Sequence, residues 1–431
     1  MSYLNEGLTR IRMLKCALLK CALLVLTQMP VETSAQRGPS GSNDSRAAAA
    51  LVVYVEEILR THPRVSAAQA AVAAASARVE AASRPIYNPE LDAEYEDAES
   101  RTRSIGINQT LDFGNKRSAR EELATAERQT AVEELALIRQ AVSTELLAAL
   151  GGYDVATDLV EIASERKDLM ARFRAVTNER RAAGDLSQVE EQLAQLAYME
   201  ASLLHSQAVT EEVAAEQDLV RLSGAILPPP PEIPSDYIPV TFTESSIDST
   251  LTGLPSVRVA QARIAAFRSS VVVRQRERRA DPTIGLFAGR EGQDDLVGVR
   301  FSIPLQVRNR YRAEVDAATA DLEVVVQSVD DQYRQLRAEL VASAKRYEIS
   351  LAAWNEWLQV GSDSLELQIQ VLEQLWSAGE LSTTDYLVQL EQALDTQMAA
   401  VEQRGRLWAD WIAWLAVSGQ IDSWLGFSGT P

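Results

Sequence analysis

The chain is poor in the residue types that carry chemistry. Its 431 residues hold two cysteines, Cys16 and Cys21, and two histidines, His62 and His205. Both cysteines lie within the first 35 residues, so the remainder can form no disulfide and offers no thiolate as nucleophile or metal ligand. The histidines are far apart and lack metal-ligand spacing, so each reads as an incidental helix residue. No glycine-rich phosphate loop or nucleophile motif is present. Basic charge is also short: 42 Lys and Arg against 61 Asp and Glu leave a formal net charge of −19. A field of that sign repels phosphate backbones, which makes nucleic acid a poor partner. Aromatics are 6% of the residues, and Ala, Leu, Val, Glu, Gln and Arg dominate, the composition of long helices. Acid pairs such as Glu121-Glu122, Glu133-Glu134 and Glu190-Glu191 read as solvated helix faces or ion-pair partners. No enzyme, cofactor or metal site is expected.

At the N-terminus, Arg10, Arg12 and Lys15 precede apolar runs at 17–19 and 22–26, followed by the small residues Thr33, Ser34 and Ala35. This pattern predicts a secretory signal peptide over 1–35. The apolar stretch, broken by Lys20, falls well short of the ~20 residues of a membrane-spanning helix. Lys20 also stands where a small residue is wanted before a lipidated cysteine. A flexible Gly/Ser/Asn-rich leader follows over 36–46.

Beyond the leader the chain is written twice. The first unit, 47–224, reads as a helix to residue 84, a β-hairpin over 89–111 with its loop at 97–103, and a long helical hairpin over 116–224. A Pro-rich connector at 225–254, holding four consecutive prolines from Pro228, reads as extended. The second unit, 255–419, has a β-hairpin over 282–304 and a helical hairpin over 310–419, before a C-terminal tail at 420–431. Asn88-Pro89 corresponds to Asp281-Pro282, and Ile105-Gly106-Ile107 to Val297-Gly298-Val299. Gly184-Asp185-Leu186-Ser187 corresponds to Gly379-Glu380-Leu381-Ser382. Ordered matches at a nearly constant offset are the signature of duplication. In the second long helix, apolar residues recur every three or four positions from Leu322 through Tyr347, Gly361 and Leu365, a heptad seam that makes helices wind around partners. A continuous helix from 116 to 182 would span roughly 100 Å at 1.5 Å per residue. No globular core is that long.

The hairpin strands alternate. Leu91, Tyr95, Ile105, Ile107, Ile284, Leu286, Val297, Val299 and Phe301 fall on the face expected to meet lipid, while Glu90, Asp92, Glu94 and Glu96 fall on the opposite face, expected to line a lumen. Four strands cannot close a barrel, because unpaired edges in hydrocarbon are prohibitively costly, so several copies must share one.

The duplication, the hairpin followed by the helix start Asp112-Phe113-Gly114-Asn115-Lys116-Arg117, and the turn Ser377-Ala378-Gly379-Glu380-Leu381-Ser382-Thr383-Thr384-Asp385-Tyr386-Leu387 resemble the TolC-type outer-membrane factors of tripartite efflux pumps, in particular the metal-cation branch. The resemblance covers nearly the whole chain after the leader. It implies a mainly α protein with a small β part, whose duplicated helical hairpins form a trimeric α-barrel and whose β-hairpins contribute to a shared 12-stranded transmembrane barrel. It places the protein in the outer membrane of a Gram-negative bacterium, extending into the periplasm, with a periplasmic adaptor and an inner-membrane proton-driven pump as partners. It also implies that the turn residues Gly184, Asp185, Leu186, Ser187, Gly379, Glu380, Leu381 and Ser382 dock the adaptor. Asp385, and its first-repeat counterpart Glu190, would line a periplasmic constriction. Val388 stands where some members carry a second acid, so the ring at Asp385 would be single. Acids on the lumenal strand face favour cations over organic cargo, though both cargoes stay open. The competing reading is a periplasmic or surface coiled-coil adaptor without a channel, which should show one helical hairpin rather than two in tandem.

Overall fold

The computed structural model describes residues 49–97, 101–224, 230–234, 237, 239 and 247–427. The expected signal peptide, the leader, both cysteines and half of the Pro-rich connector lie outside them. The elements are α1 (Ala49–Thr61), α2 (Pro63–Ser83), β1 (Glu90–Asp97), β2 (Arg101–Thr110), α3 (Lys116–Ala183), α4 (Gln188–Ser223), α5 (Ile247–Gly253), α6 (Pro255–Glu277), β3 (Thr283–Glu291), β4 (Asp294–Ser302), α7 (Arg312–Val360), α8 (Ser362–Ser377), α9 (Thr383–Val417) and α10 (Ile421–Trp424).

The long helix α3 has 68 residues, roughly 100 Å. Its start is fixed by Asp112, whose carboxylate accepts the backbone N–H groups of Lys116 and Arg117 at 2.8 Å each. Its end is fixed by Gly184, whose φ of 89° is the left-handed conformation that closes a helix. In one row α3 packs against α2 and α6, and α6 against α7. In a second row α3 packs between α4 and α9, and α9 against α7 and α8. The largest core cluster joins the rows, with Leu146 and Leu147 of α3, Tyr347 of α7, and Trp408, Trp411 and Trp414 of α9. There α3 and α9 meet through a glycine: a Cβ on Gly151 would stand 2.0 Å from Trp408. The Trp408 indole N–H donates to the Leu147 carbonyl at 2.7 Å.

Five expectations are corrected. The helix read over 47–84 is two helices, because Pro63 lacks the N–H that would continue the first. His62 is therefore no incidental helix residue: it caps α2, its Nδ1 accepting the Arg64 N–H at 3.2 Å. The last part of the connector is not extended but forms α5, because Ile247 and Leu251, one turn apart, bury in the core. The expected tail is held too, since α10 buries Ile421 and Trp424, with Leu425 after it. The second long helix is interrupted at Gly361, between α7 and α8; the Trp357 ring fills the space a side chain would take, 2.3 Å from a Cβ placed there. The interruption falls within the seam expected to run through Gly361 and Leu365.

The four strands form one antiparallel sheet in the order β1-β2-β3-β4. Each repeat supplies a hairpin, and the β2–β3 pairing joins the repeats, with Leu91, Ile107, Leu286 and Val299 in one row across all four strands.

Candidate functional site

The register divides the sheet into two chemically different faces. All nine residues expected to meet lipid lie on one face, and every one is exposed, from 42% at Ile284 to 83% at Val297. Among the described residues nothing covers this face, although an apolar patch of this kind marks contact with a membrane or a partner. Strands of eight to ten residues approach the 9–11 that cross a bilayer when tilted. Among the described residues no helix is long and apolar enough to cross a membrane.

On the opposite face the row of Glu90, Asp92, Glu94 and Glu96 is present, but its members differ. Asp92 accepts from Asn108 Nδ2 at 2.9 Å and from Arg300 Nη1 at 3.3 Å, and Glu94 lies 3.4 Å from the Ser104 hydroxyl. Asn108 and Arg300 do not stand out in the sequence. Each sits on a different strand from the acid it meets, with no local pattern to connect them.

Where strands give way to helices, Asp281 is 5% exposed and ties the two repeats together. Its carboxylate meets the Lys116 ammonium at 2.9 Å, accepts the Tyr87 hydroxyl at 2.7 Å and accepts the Gly114 N–H at 3.3 Å. Burial alone would raise its pKa, but the Lys116, Tyr87 and Gly114 partners outweigh that and hold it below the usual carboxylate range. Tyr87 is pushed up to about 12, by burial and by its bond to that carboxylate. The Asn88-Pro89 and Asp281-Pro282 correspondence is the sequence signal at this junction, though it does not reveal the pairing with Lys116.

At the far ends of the long helices the two turns repeat one design. Gly184 and Gly379 take φ of 89° and 79°, and the following N–H groups of Asp185 and Glu380 donate back to Arg180 and Leu375 carbonyls at 2.9 Å. Ser187 and Glu190 form a reciprocal capping box at the start of α4. Their hydrogen bonds hold the Glu190 pKa down. At the start of α9 the Ser382 hydroxyl accepts the Asp385 N–H at 3.1 Å and donates to the Asp385 carboxylate at 2.7 Å. Both acids expected at a constriction thus serve as caps within one chain. Asp185, Ser187, Glu380, Ser382 and Asp385 are exposed, and Leu186 and Leu381 are half-buried. Beneath the turns Phe173, Trp376 and Tyr386 form an aromatic cluster with centroids 4.8 to 5.3 Å apart, and Leu381 packs against this core.

Solved structures of like shape include the outer-membrane channel OprN, with a TM-score of 0.74 and 17% identity over 94% of this chain and 100% of that one. The chain has the fold of the TolC-type outer-membrane channels. The same channel fold appears in the outer membrane protein VceC from Vibrio cholerae, with a TM-score of 0.70 and 18% identity over 86% of this chain and 96% of that one. In sequence, the cobalt-zinc-cadmium resistance protein CzcC of Cupriavidus metallidurans is 25% identical over 315 residues, covering 70% of this chain and 74% of its own. No protein-family model matches the chain. The channel fold accounts for the two tandem helical hairpins and the pair of β-hairpins that the sequence leads one to expect.

Proposed function

We propose that the chain is the outer-membrane component of a tripartite efflux system in a Gram-negative cell, conducting metal cations outward from an inner-membrane proton-driven pump and a periplasmic adaptor. Three copies would pool their strands into one 12-stranded barrel, and their helices would form a tunnel through the periplasm. The observation that carries this reading is that strands and helices are left open along matching edges. Strands β1 and β4 each have one strand neighbour among the described residues, and bare edges in hydrocarbon are too costly to persist. The two edges run antiparallel to each other, so β4 of one copy can continue into β1 of the next without breaking the alternation. In the second helix row, where α3 packs between α4 and α9, α4 and the α7–α8 segment are the outer members. On α4, Val189, Leu196 and Leu203 are exposed at seven-residue steps, with Met199 and Val213 beside them, a seam of the kind that packs against a neighbouring helix. The likeness to a cobalt-zinc-cadmium resistance protein supports metal cations as cargo. Chemical cross-linking and sedimentation of the detergent-extracted protein should show three chains; a stable monomer soluble without detergent would overturn the reading.

Under the same proposal Asp385 marks the narrowest point of the tunnel, with Glu190 near it from the first repeat. Both stand in the first turn of return helices, and converging carboxylates repel strongly where water is scarce, a cost that a passing cation relieves. Single-channel recordings of Asp385→Ala should show weaker cation selectivity or relief of block by divalent ions. Conductance and selectivity identical to the parent would leave Asp385 a helix cap alone.

A further inference from the structure

Arg300 and Asp92 belong to the two outermost strands, β4 and β1, which in a flat sheet stand about 14 Å apart at ~4.8 Å per strand. Their side chains nevertheless meet at 3.3 Å, lying across the two strands between them. Glycines clear the floor between them. A Cβ on Gly106 would stand 2.7 Å from the Asp92 carboxylate, one on Gly285 2.0 Å from the Asn108 amide oxygen, and one on Gly298 2.3 Å from the Phe287 ring. The neighbouring side chains lie over the strands in the space these glycines leave. The Phe287 centroid is 5.4 Å from the Arg300 guanidinium carbon, within cation–π range. Asn108 holds the other Asp92 oxygen at 2.9 Å.

We propose that Arg300 is a charge-selectivity determinant of the channel, a fixed cation on the lumenal face that cancels Asp92 in each copy. The inference rests on the channel reading above. Arginine suits the task because it stays charged at any working pH and its long, flat side chain reaches across strands and stacks on a ring. Both charges stay accessible, with side-chain exposures of 49% for Arg300 and 31% for Asp92, so an ion in the lumen feels both. With the pair intact, the attraction for cations comes from the other acids of this face, Glu90, Glu94 and Glu96 on β1, Glu291 on β3 and Asp294 on β4, and the level of Asp92 is electrically neutral. Charge rings of one sign set which ions a pore admits, so removing either partner should unmask the other.

The test is the reversal potential of the full-length protein, reconstituted in planar bilayers across a potassium chloride gradient. Arg300→Gln should raise the potassium-over-chloride permeability ratio by about twofold or more. Asp92→Asn should lower it, and the double variant should return close to the parent. A pair that merely braces the sheet would shift both single variants the same way, because each removes the same brace. Conducting pores whose single variants are unmoved, or move together, overturn the assignment of Arg300 alone. A parent that forms no conducting pore overturns the channel reading and this inference with it.

Discussion

Asp281→Ala is expected to destabilise the protein by about 3–5 kcal/mol, the range for leaving one member of a buried ion pair unpartnered. The loss follows from what stays behind. The Lys116 side chain is 12% exposed and opens the longest helix of the fold, so without Asp281 its ammonium stays desolvated beside no anion. The Tyr87 hydroxyl and the Gly114 N–H lose their acceptor at the same time. The pH dependence has a definite sign, because the Asp281 pKa is lowered in the folded chain. The stability it adds is fully present above the unfolded pKa, near 4, and is lost as pH falls through the folded value. Thermal unfolding of the detergent-solubilised parent and variant should show a wide gap at pH 7 that narrows below about pH 4. Equal gaps at both pH values would mean the carboxylate acts through shape, not charge.

The parts of the fold that rest on short-range patterns are legible in the amino-acid order alone. Period-two alternation places Leu91, Tyr95, Ile105 and Ile107 on one face, and the same face is the exposed one in the sheet. Gly184 and Gly379 end the long helices because each must take a positive φ, and a serine three residues before an acid marks the start of both return helices. What stays hidden depends on contacts distant along the chain. At Gly361, between α7 and α8, the Trp357 ring occupies the missing side chain's place, a contact no heptad count reveals. The helix α10 reads as a tail because its burial is supplied by α3 and α9. Asp281 with Lys116, and Asp92 with Arg300, are pairs separated by more than a hundred residues, brought together only when one repeat folds onto the other. Tyr311, at the start of α7, has a φ of 53°, a conformation a bulky residue seldom takes and one that composition gives no reason to expect. The roles proposed for Asp385, Glu190 and the two turns belong to a different category again, because copies of the chain and a partner must complete them.

Leu186→Asp is expected to abolish efflux while leaving the trimer assembled. Leu186 and Leu381 occupy equivalent places in the two turns, and the proposed docking of the adaptor's helical hairpins would bury both. The structure separates them. Leu381 packs against the cluster of Phe173, Trp376 and Tyr386, so a charge there would damage the tip itself and confuse a docking defect with local unfolding. Leu186 has no place in that cluster and is half-buried in a turn held by backbone bonds, Gly184 to Arg181 and Asp185 to Arg180. A carboxylate at position 186 can therefore stay solvated in the free channel and is desolvated only on docking. A central interface residue of that kind is worth about 2 kcal/mol or more, roughly a thirtyfold loss of affinity, and three copies per channel multiply the effect. Metal tolerance of cells carrying Leu186→Asp should fall to that of cells lacking the protein, with cross-linked trimers in the outer membrane at parental amounts. Full tolerance with Leu186→Asp would remove the docking role from this turn, and loss of the trimer would make Leu186 a structural residue instead.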